Sequence, residues 1–329
     1  MSTTYRPPPT ATRLRFLDAL RGVAITGIVF VNIPDMTGLG SDLPGADLGV
    51  ARTVLDLTVQ TRFVPIFEFL FGVGMWFIVS GARERGVTPW VPMVLRLTAL
   101  FGIGFLHSKV YPGEVLTLYA TAGLLVLPIV VLAPRWLQLG LGSVAAVTVF
   151  LLAGSSAAEV PGIMLLGAAA AAYGVPALLD RGARAVGFVF LAAAALSVAA
   201  VWLQTSAPGD PRFVAAGGRA GLVMAVAYVT GLSLLWTTRA RTAIAAVFEP
   251  IGRMALTNYV TASLVVVPTG LLLGFAGSTD LVPALVLGAC VIAVQSVVSR
   301  IWLHHFRYGP LEWVWRAMTW RTLPRFTAG

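Results

Sequence analysis

The sequence predicts an all-α, polytopic membrane protein, and three observations lead to this fold class. The chain has 329 residues, of which 57% are hydrophobic and only 11% are charged, whereas a soluble domain carries about 25% charged residues. Its mean hydropathy is +0.85. Apolar runs recur along the whole chain at lengths near the ~20 residues that a helix needs to cross a bilayer. No polar linker separates these runs, so we expect one transmembrane domain over 1–329.

Ten apolar segments are candidate membrane-spanning helices. The polar N-terminal tail 1–14 precedes them, and an amphipathic tail at 306–329, rich in Trp and Arg, is typical of the membrane interface. The longest connection, 35–62, has enough helical periodicity from Val50 to Thr61 to predict a short surface helix. The ten segments are 18–34, 63–81, 91–108, 114–132, 136–153, 160–179, 185–204, 219–237, 254–274 and 281–303.

The distribution of charge predicts the orientation. An even number of spans places both termini on one side, and that side carries 18 of the 23 Lys and Arg residues. The positive-inside rule then puts both termini in the cytoplasm. This asymmetry explains the net charge of +9, so we expect the bilayer and no nucleic acid as a partner, and a homodimer stays open. Cys290 is the single cysteine, which excludes an intramolecular disulfide and a thiolate metal site.

The hairpin Leu95 to Leu127 stands out among the apolar segments, because it carries polar residues in sequence that otherwise rejects them. Pro112 and Gly113 mark its turn, since neither residue suits a helix interior. An ionisable residue at membrane depth indicates a functional site. We therefore expect the other helices to surround this hairpin.

A first polar set lies toward the predicted outer side. His107 ends the third segment, Glu114 opens the fourth, Glu68 lies inside the second and Asn32 is near the end of the first. A histidine beside carboxylates can activate a hydroxyl or amine nucleophile, so these four residues are candidate catalytic groups. The alternative is a hydrogen-bonded histidine at the membrane interface, with Glu114 simply solvated.

A second set is cationic and lies toward the predicted inner side. Arg21, Arg96 and Arg253 sit near the inner ends of their segments, with Arg96 about a turn deeper. Guanidinium groups bind phosphate through paired hydrogen bonds, so these residues are candidate binding groups for a nucleotide or coenzyme A. The alternative is that topology and snorkelling alone place arginines there.

A third set lies on the last two segments. Asn258 and Tyr259 open the ninth, and Gln295 and Ser299 share one face of the tenth. We predict that Asn258, Tyr259 and Gln295 contribute to substrate binding, although polar residues also hold helices together in lipid. We expect no metal site, because His304-His305 has no partner at ligand spacing.

Four stretches resemble the YeiB family of bacterial integral membrane proteins, a domain of unknown function, which implies a bacterial cytoplasmic membrane. They are the Arg-Phe-Leu-Asp-Ala-Leu-Arg-Gly opening at 15–22, Phe-Glu-Phe-Leu-Phe-Gly-Val-Gly at 67–74, and the stretch 107–120, with Glu114 where the family usually has Asp. The fourth is the C-terminal signature, which combines 252–259 with Gly-Pro-Leu-Glu-Trp-Val-Trp-Arg at 309–316.

More distantly, the Leu-Asp-x-Leu-Arg-Gly opening and Asn32 resemble a superfamily of transmembrane acyltransferases that includes the lysosomal heparan-alpha-glucosaminide N-acetyltransferase. The resemblance implies an acyl-CoA donor in the cytoplasm and an envelope glycan or lipid acceptor across the membrane, without a metal. The lysosomal enzyme has a catalytic histidine in the loop after this span, whereas 33–62 contains none, so that role would fall to His107. The alternative is a carrier or flippase for a lipid-like or anionic molecule, with Glu68 and His107 as a proton relay.

Overall fold

The computed structural model describes residues 14–43, 45, 47–152, 157–207 and 209–327, and helices dominate these residues. Nearly all of the predicted tail 1–14 lies outside the described residues, as does the last residue of the predicted segment 136–153. The helices are α1 (Arg15–Thr37), α2 (Gly49–Thr58), α3 (Phe63–Glu84), α4 (Trp90–His107), α5 (Leu116–Leu132), α6 (Arg135–Leu152), α7 (Val160–Ala172), α8 (Val175–Arg181), α9 (Arg184–Thr205), α10 (Ala215–Trp236), α11 (Ala240–Arg253), α12 (Ala255–Leu272), α13 (Leu281–His305) and α14 (Pro310–Trp320).

Each of the ten predicted segments falls on a helix. Among the described residues, eight helices are long and apolar enough to cross a membrane by length and composition. The segment 160–179 forms two helices, α7 and α8, which meet at a bend of 74°. Gly174 at this break adopts φ 77°, a conformation that glycine takes without strain. The segment 114–132 forms α5, a shorter apolar helix. The chain is therefore an all-α polytopic membrane protein.

Helix α1 lies at the centre of the bundle. Within its most apolar window 72% is buried inside the protein, against 39% for α4. The prediction that the hairpin 95–127 forms the centre is therefore wrong. The reason is that α1 has small residues on several faces, which let neighbouring helices pack all around it.

Glycines bring α1 and α11 into backbone contact. A Cβ atom added at Gly252 would lie 1.8 Å from the carbonyl oxygen of Asp18, and one added at Gly22 would lie 1.9 Å from that of Phe248. Only residues without side chains permit such close approach of two helices. The crossing fixes the position of Asp18 relative to the end of α11, where Arg253 lies.

Three short amphipathic helices accompany the spans. The predicted surface helix before the second span is confirmed as α2. Helix α11 was not predicted, and it leads directly into α12 with a break at Met254. Helix α14 was predicted as an interfacial tail, and it packs against α4 and α12. A single antiparallel β-bridge between Phe306 and Thr327 brings together the two ends of this C-terminal tail, residues 306–327.

The two ends of the bundle differ in charge. We call the end that carries Arg21, Arg96 and Arg253 the arginine face, and the opposite end, where α1 finishes at Thr37, the acidic face. At the acidic face Arg212 pairs with both Asp35 and Asp210. Burial alone would raise the pKa of Asp210, but hydrogen bonds from Arg212 hold that pKa below its usual range.

A buried arginine joins α2 and α3 to the rest of the bundle near the acidic face. Arg62 is fully buried, and its guanidinium donates to Gln204 at 2.5 Å and to the hydroxyl of Thr61 at 2.9 Å. Gln204 in turn donates to the carbonyl oxygen of Asp56 at 3.0 Å. This network ties α9 to the α2–α3 junction.

Candidate active site: a central cavity with an arginine mouth

A central cavity of about 440 Å³ lies against α1 and extends from the arginine face into the bundle. This volume is within the range of small-molecule sites, about 300–1,000 Å³. Apolar side chains of α1, α3, α4 and α5 form most of its wall, and it reaches Leu116 at the start of α5. The polar residues that line it are Asp18, Arg21, Arg96, Tyr119, Arg253, Tyr259, Arg307, Tyr308, Glu312 and Arg316.

The three arginines predicted as binding groups all line the mouth of this cavity. Arg21 donates to Asp18 at 3.2 Å. The guanidinium of Arg96 lies 3.3 Å from the centroid of the Trp315 ring, so one face is held by an aromatic ring while its N–H edge stays available for an anion. Arg253 follows the α1–α11 crossing directly. The structure therefore brings these residues together around one space.

The C-terminal tail forms one wall of the mouth. The Glu312 carboxylate accepts from the backbone N–H groups of Leu256 and Thr257, at 2.7 and 3.0 Å, and from the Thr257 hydroxyl at 2.6 Å. It thus caps the buried start of α12 from a different helix. Burial raises the pKa of Glu312, and the hydrogen bonds from Thr257 oppose that shift. Trp315 Nε1 donates to the carbonyl oxygen of Arg96 at 2.7 Å.

His107 lies behind the inner wall of the cavity. Its ring meets that of Tyr259 edge-on, with 5.3 Å between centroids, and Tyr259 itself lines the cavity. His107 is 4% exposed, and neither ring nitrogen has a hydrogen-bond partner within the described part of the chain. A buried polar atom without a partner is rare in native proteins and calls for a water or ligand. A single ring therefore separates the histidine from the cavity.

Glu68 is buried near Tyr119, which lines the cavity, but Glu68 itself does not line it. Its Oε2 and the Tyr119 hydroxyl have no hydrogen-bond partner among the described residues. Glu159 and Tyr119 are the groups that interact with it electrostatically. The sequence predicted Glu68 and His107 as one acid–base unit. In the structure each has its own tyrosine neighbour, Tyr119 for Glu68 and Tyr259 for His107.

Glu114 and Asn32 occupy different settings. The Glu114 carboxylate accepts from the backbone N–H of Leu116 at 2.6 Å and from that of Thr117 at 3.3 Å, so it caps the start of α5. It is also the carboxylate that acts electrostatically on His107. Asn32 is half-buried on α1 and does not line the cavity.

Asn258 and Gln295 join α12 to α13. Asn258 Nδ2 donates to Ser299 Oγ at 3.0 Å and to the carbonyl oxygen of Ile251 at 3.2 Å. Gln295 Nε2 donates to the carbonyl oxygen of Asn258 at 2.8 Å. Neither side chain lines the cavity, and both have the geometry of interhelical contacts.

Five residues of the C-terminal tail line the cavity and were not predicted as site residues: Arg307, Tyr308, Glu312, Trp315 and Arg316. The signal that could have found three of them is the C-terminal signature at 309–316, where a carboxylate interrupts an aromatic and basic pattern. Within the described ranges no group of three or more His, Cys, Asp or Glu side chains is placed to hold a metal ion.

Comparison with known proteins identifies the family. The family described as "Protein of unknown function (DUF418)" matches residues 167–322. An uncharacterized 39.9 kDa protein in the amylase 3′ region of Bacillus acidopullulyticus is 30% identical, over 94% of each chain. The uncharacterized YeiB of Escherichia coli K12 is 27% identical over 93% of this chain and 96% of its own. The chain belongs to the YeiB-like DUF418 family. The uncharacterized YxaH of Bacillus subtilis strain 168 is 28% identical over 97% of each chain, so the similarity to these DUF418 relatives extends well beyond the matched residues.

Proposed function

We propose that this DUF418 protein is a membrane acyltransferase that takes an acyl group from acyl-CoA and gives it to a hydroxyl or amine acceptor. The observation that carries the proposal is the central cavity, which runs from five arginines to the Tyr259 ring, with His107 directly behind. The CoA phosphates would bind Arg21, Arg96 and Arg253 at the arginine face, and the thioester would extend along the apolar wall. The acceptor, an envelope glycan or lipid, would approach from the acidic face.

His107 would act as the general base. The acceptor oxygen or nitrogen attacks the thioester carbonyl carbon, its proton passes to a ring nitrogen of His107, and the new ester or amide bond forms as the C–S bond breaks. The proton then passes to the departing sulfur, which releases CoA as the thiol. Both ring nitrogens lack a protein partner in the described chain, so neither is committed to a hydrogen bond within the bundle. Asn32 does not line the cavity and has no part in this step, whereas Glu114 supports the charge on His107.

The proposed location is a bacterial cytoplasmic membrane with both termini in the cytoplasm. The concentration of arginines on one side favours this orientation through the positive-inside rule. The relatives from Bacillus and Escherichia favour a bacterial membrane. In this orientation the arginine face meets cytoplasmic acyl-CoA.

Transfer of a radiolabelled acetyl group in reconstituted vesicles tests the function. With acetyl-CoA on the arginine side, we expect label in an acceptor on the other side. His107→Ala should reduce transfer at least about 100-fold, the loss typical of a general base, whereas His304→Ala, at the exposed end of α13, should be unchanged. Arg96→Lys should retain more activity than Arg96→Ala, because the charge survives but the paired hydrogen bonds do not. Full transfer by His107→Ala would refute the mechanism.

The second candidate function is a carrier, and the unpartnered Glu68 Oε2 favours it. A buried carboxylate without a partner can carry a proton across a bundle. A carrier would move an anionic amphiphile between the faces without breaking a covalent bond. Glu68→Gln should then stop movement and preserve binding, and the transported molecule would be recovered chemically unchanged.

A further inference from the structure

We infer that the central cavity binds an amphiphile with two or more phosphate groups, and that the C-terminal tail supplies part of the phosphate site. The inference takes the location of the acyl-CoA donor from the proposed function, but it does not require that the protein transfers an acyl group. A coenzyme A ester and a prenyl diphosphate lipid share this chemistry, and the experiment below distinguishes them.

The charge of the mouth indicates more than one phosphate. Five guanidinium groups and the two carboxylates of Asp18 and Glu312 line the mouth. Its net charge is therefore +3. Both carboxylates have partners of their own, since Asp18 accepts from Arg21 and Glu312 caps α12. A phosphate monoester carries about −1.5 to −2 charges at neutral pH, so one such group does not balance the site and two do.

The position of Arg96 favours an anion that enters the bundle. Arg96 interacts electrostatically with Arg21 and Arg316, and its guanidinium stacks on Trp315 at 3.3 Å. No carboxylate pairs with its side chain in the described part of the protein. A planar guanidinium held by a ring presents its N–H groups in a fixed direction, which suits two phosphate oxygens.

The interior beyond Arg96 favours an apolar or mixed chain over a free inorganic anion. Ile25, Ile28, Leu70 and Leu100 line that part of the cavity. Burying a chain against them contributes about 25 cal/mol for each Å² removed from water. Phosphate at the mouth and carbon chain in the interior together define an amphiphile.

The tail contributes two of the five cations. Arg307 precedes α14, and Arg316 lies on it with its guanidinium 5.0 Å from the Tyr308 ring centroid. The tail is held against the bundle by Glu312 and by Trp315. A ligand that bridges tail and bundle arginines would add contacts between them, so binding should also make the tail more rigid.

The experiment is isothermal titration of the full-length protein in phosphatidylcholine nanodiscs. The probes are coenzyme A, farnesyl diphosphate, inorganic pyrophosphate and farnesol, which is the phosphate-free match for farnesyl diphosphate. We expect at least one of the first two to bind more tightly than pyrophosphate, and farnesol not to bind at the site. Arg307→Ala and Arg316→Ala should each weaken binding about 10-fold or more, as expected for a lost charged hydrogen bond. Arg325→Ala is the matched control, an exposed tail arginine away from the cavity, and should bind within twofold of wild type.

Hydrogen exchange separates a ligand contact from general loosening of the fold. Amides of 306–327 should exchange more slowly with ligand bound, and Arg316→Lys should retain part of the affinity of wild type. Binding of farnesyl diphosphate alone would support this inference while removing the CoA donor of the proposed function. Failure of both phosphorylated amphiphiles to bind, equal binding of pyrophosphate, or equal affinity in the tail variants and Arg325→Ala would overturn it.

Discussion

The crossing of α1 and α11 makes Gly252→Ala a sensitive test of the fold around the mouth. The added Cβ would lie 1.8 Å from the Asp18 carbonyl oxygen. Contacts of this kind are essentially never shorter than 3.0 Å, so the backbones must separate by at least 1.2 Å. The contact atom belongs to the backbone, so no side chain can rotate away. We expect a cost of about 1–3 kcal/mol, as for other overpacked sites.

Thermal unfolding in detergent measures this cost. A loss of 1–3 kcal/mol corresponds to a drop of about 2–6 °C in the apparent Tm, at about 2 °C per kcal/mol for a chain of this size. Ligand affinity should fall too, because Arg253 moves away from Arg21. Gly102→Ala in α4 is the control, since nothing lies within 4 Å of its added Cβ. A Tm and affinity equal to wild type in Gly252→Ala would refute the close crossing.

Three further predictions concern the acidic face and the orientation. The pKa of Asp210 is lowered in the folded protein. Its pairing with Arg212 therefore stabilises the fold above pH ~4, the ordinary aspartate range, and this stabilisation is lost at lower pH. Asp210→Asn should flatten the acid dependence of Tm. Arg62→Ala leaves buried acceptors without donors and should destabilise the protein by about 3 kcal/mol, measured by the same unfolding assay. In a Cys290→Ser background, Ser41→Cys should react with an impermeant thiol reagent in intact cells and Val87→Cys only after permeabilisation; the reverse pattern would invert the proposed orientation.

Most of the helices could be predicted from the sequence, because a span is a local property of composition. Each of the ten segments contains enough apolar residues to be recognised alone. Helix α11 was missed because its apolar residues occupy one face only and two charged residues, Glu249 and Arg253, lie near its end. The central place of α1 could not be predicted, since it depends on how glycines such as Gly22 pair with another helix far along the chain.

The sequence predicts how deep in the membrane a site residue lies, but not to which side of its helix the side chain points. Hydropathy indicates how far along a span a residue lies, which was sufficient for Arg96. It does not indicate rotation about the helix axis. Glu68 and His107 were expected to meet, and in the structure no hydrogen bond joins them. The tail was interpreted as interfacial because Trp and Arg are common there; its capping contact through Glu312 joins residues about 55 positions apart and leaves no local pattern.

The two ends of the bundle are held by interactions of different physical kinds, and dissolved salt distinguishes them. Arg212 and its two aspartates are partly exposed, and at 0.15 M ionic strength such charges are screened over about 8 Å. The glycine contacts of α1 with α11 involve no net charge. Concentrated salt should therefore loosen the acidic face first and leave that helix crossing intact. A change of salinity on that side of the membrane would alter access from one end of the protein only.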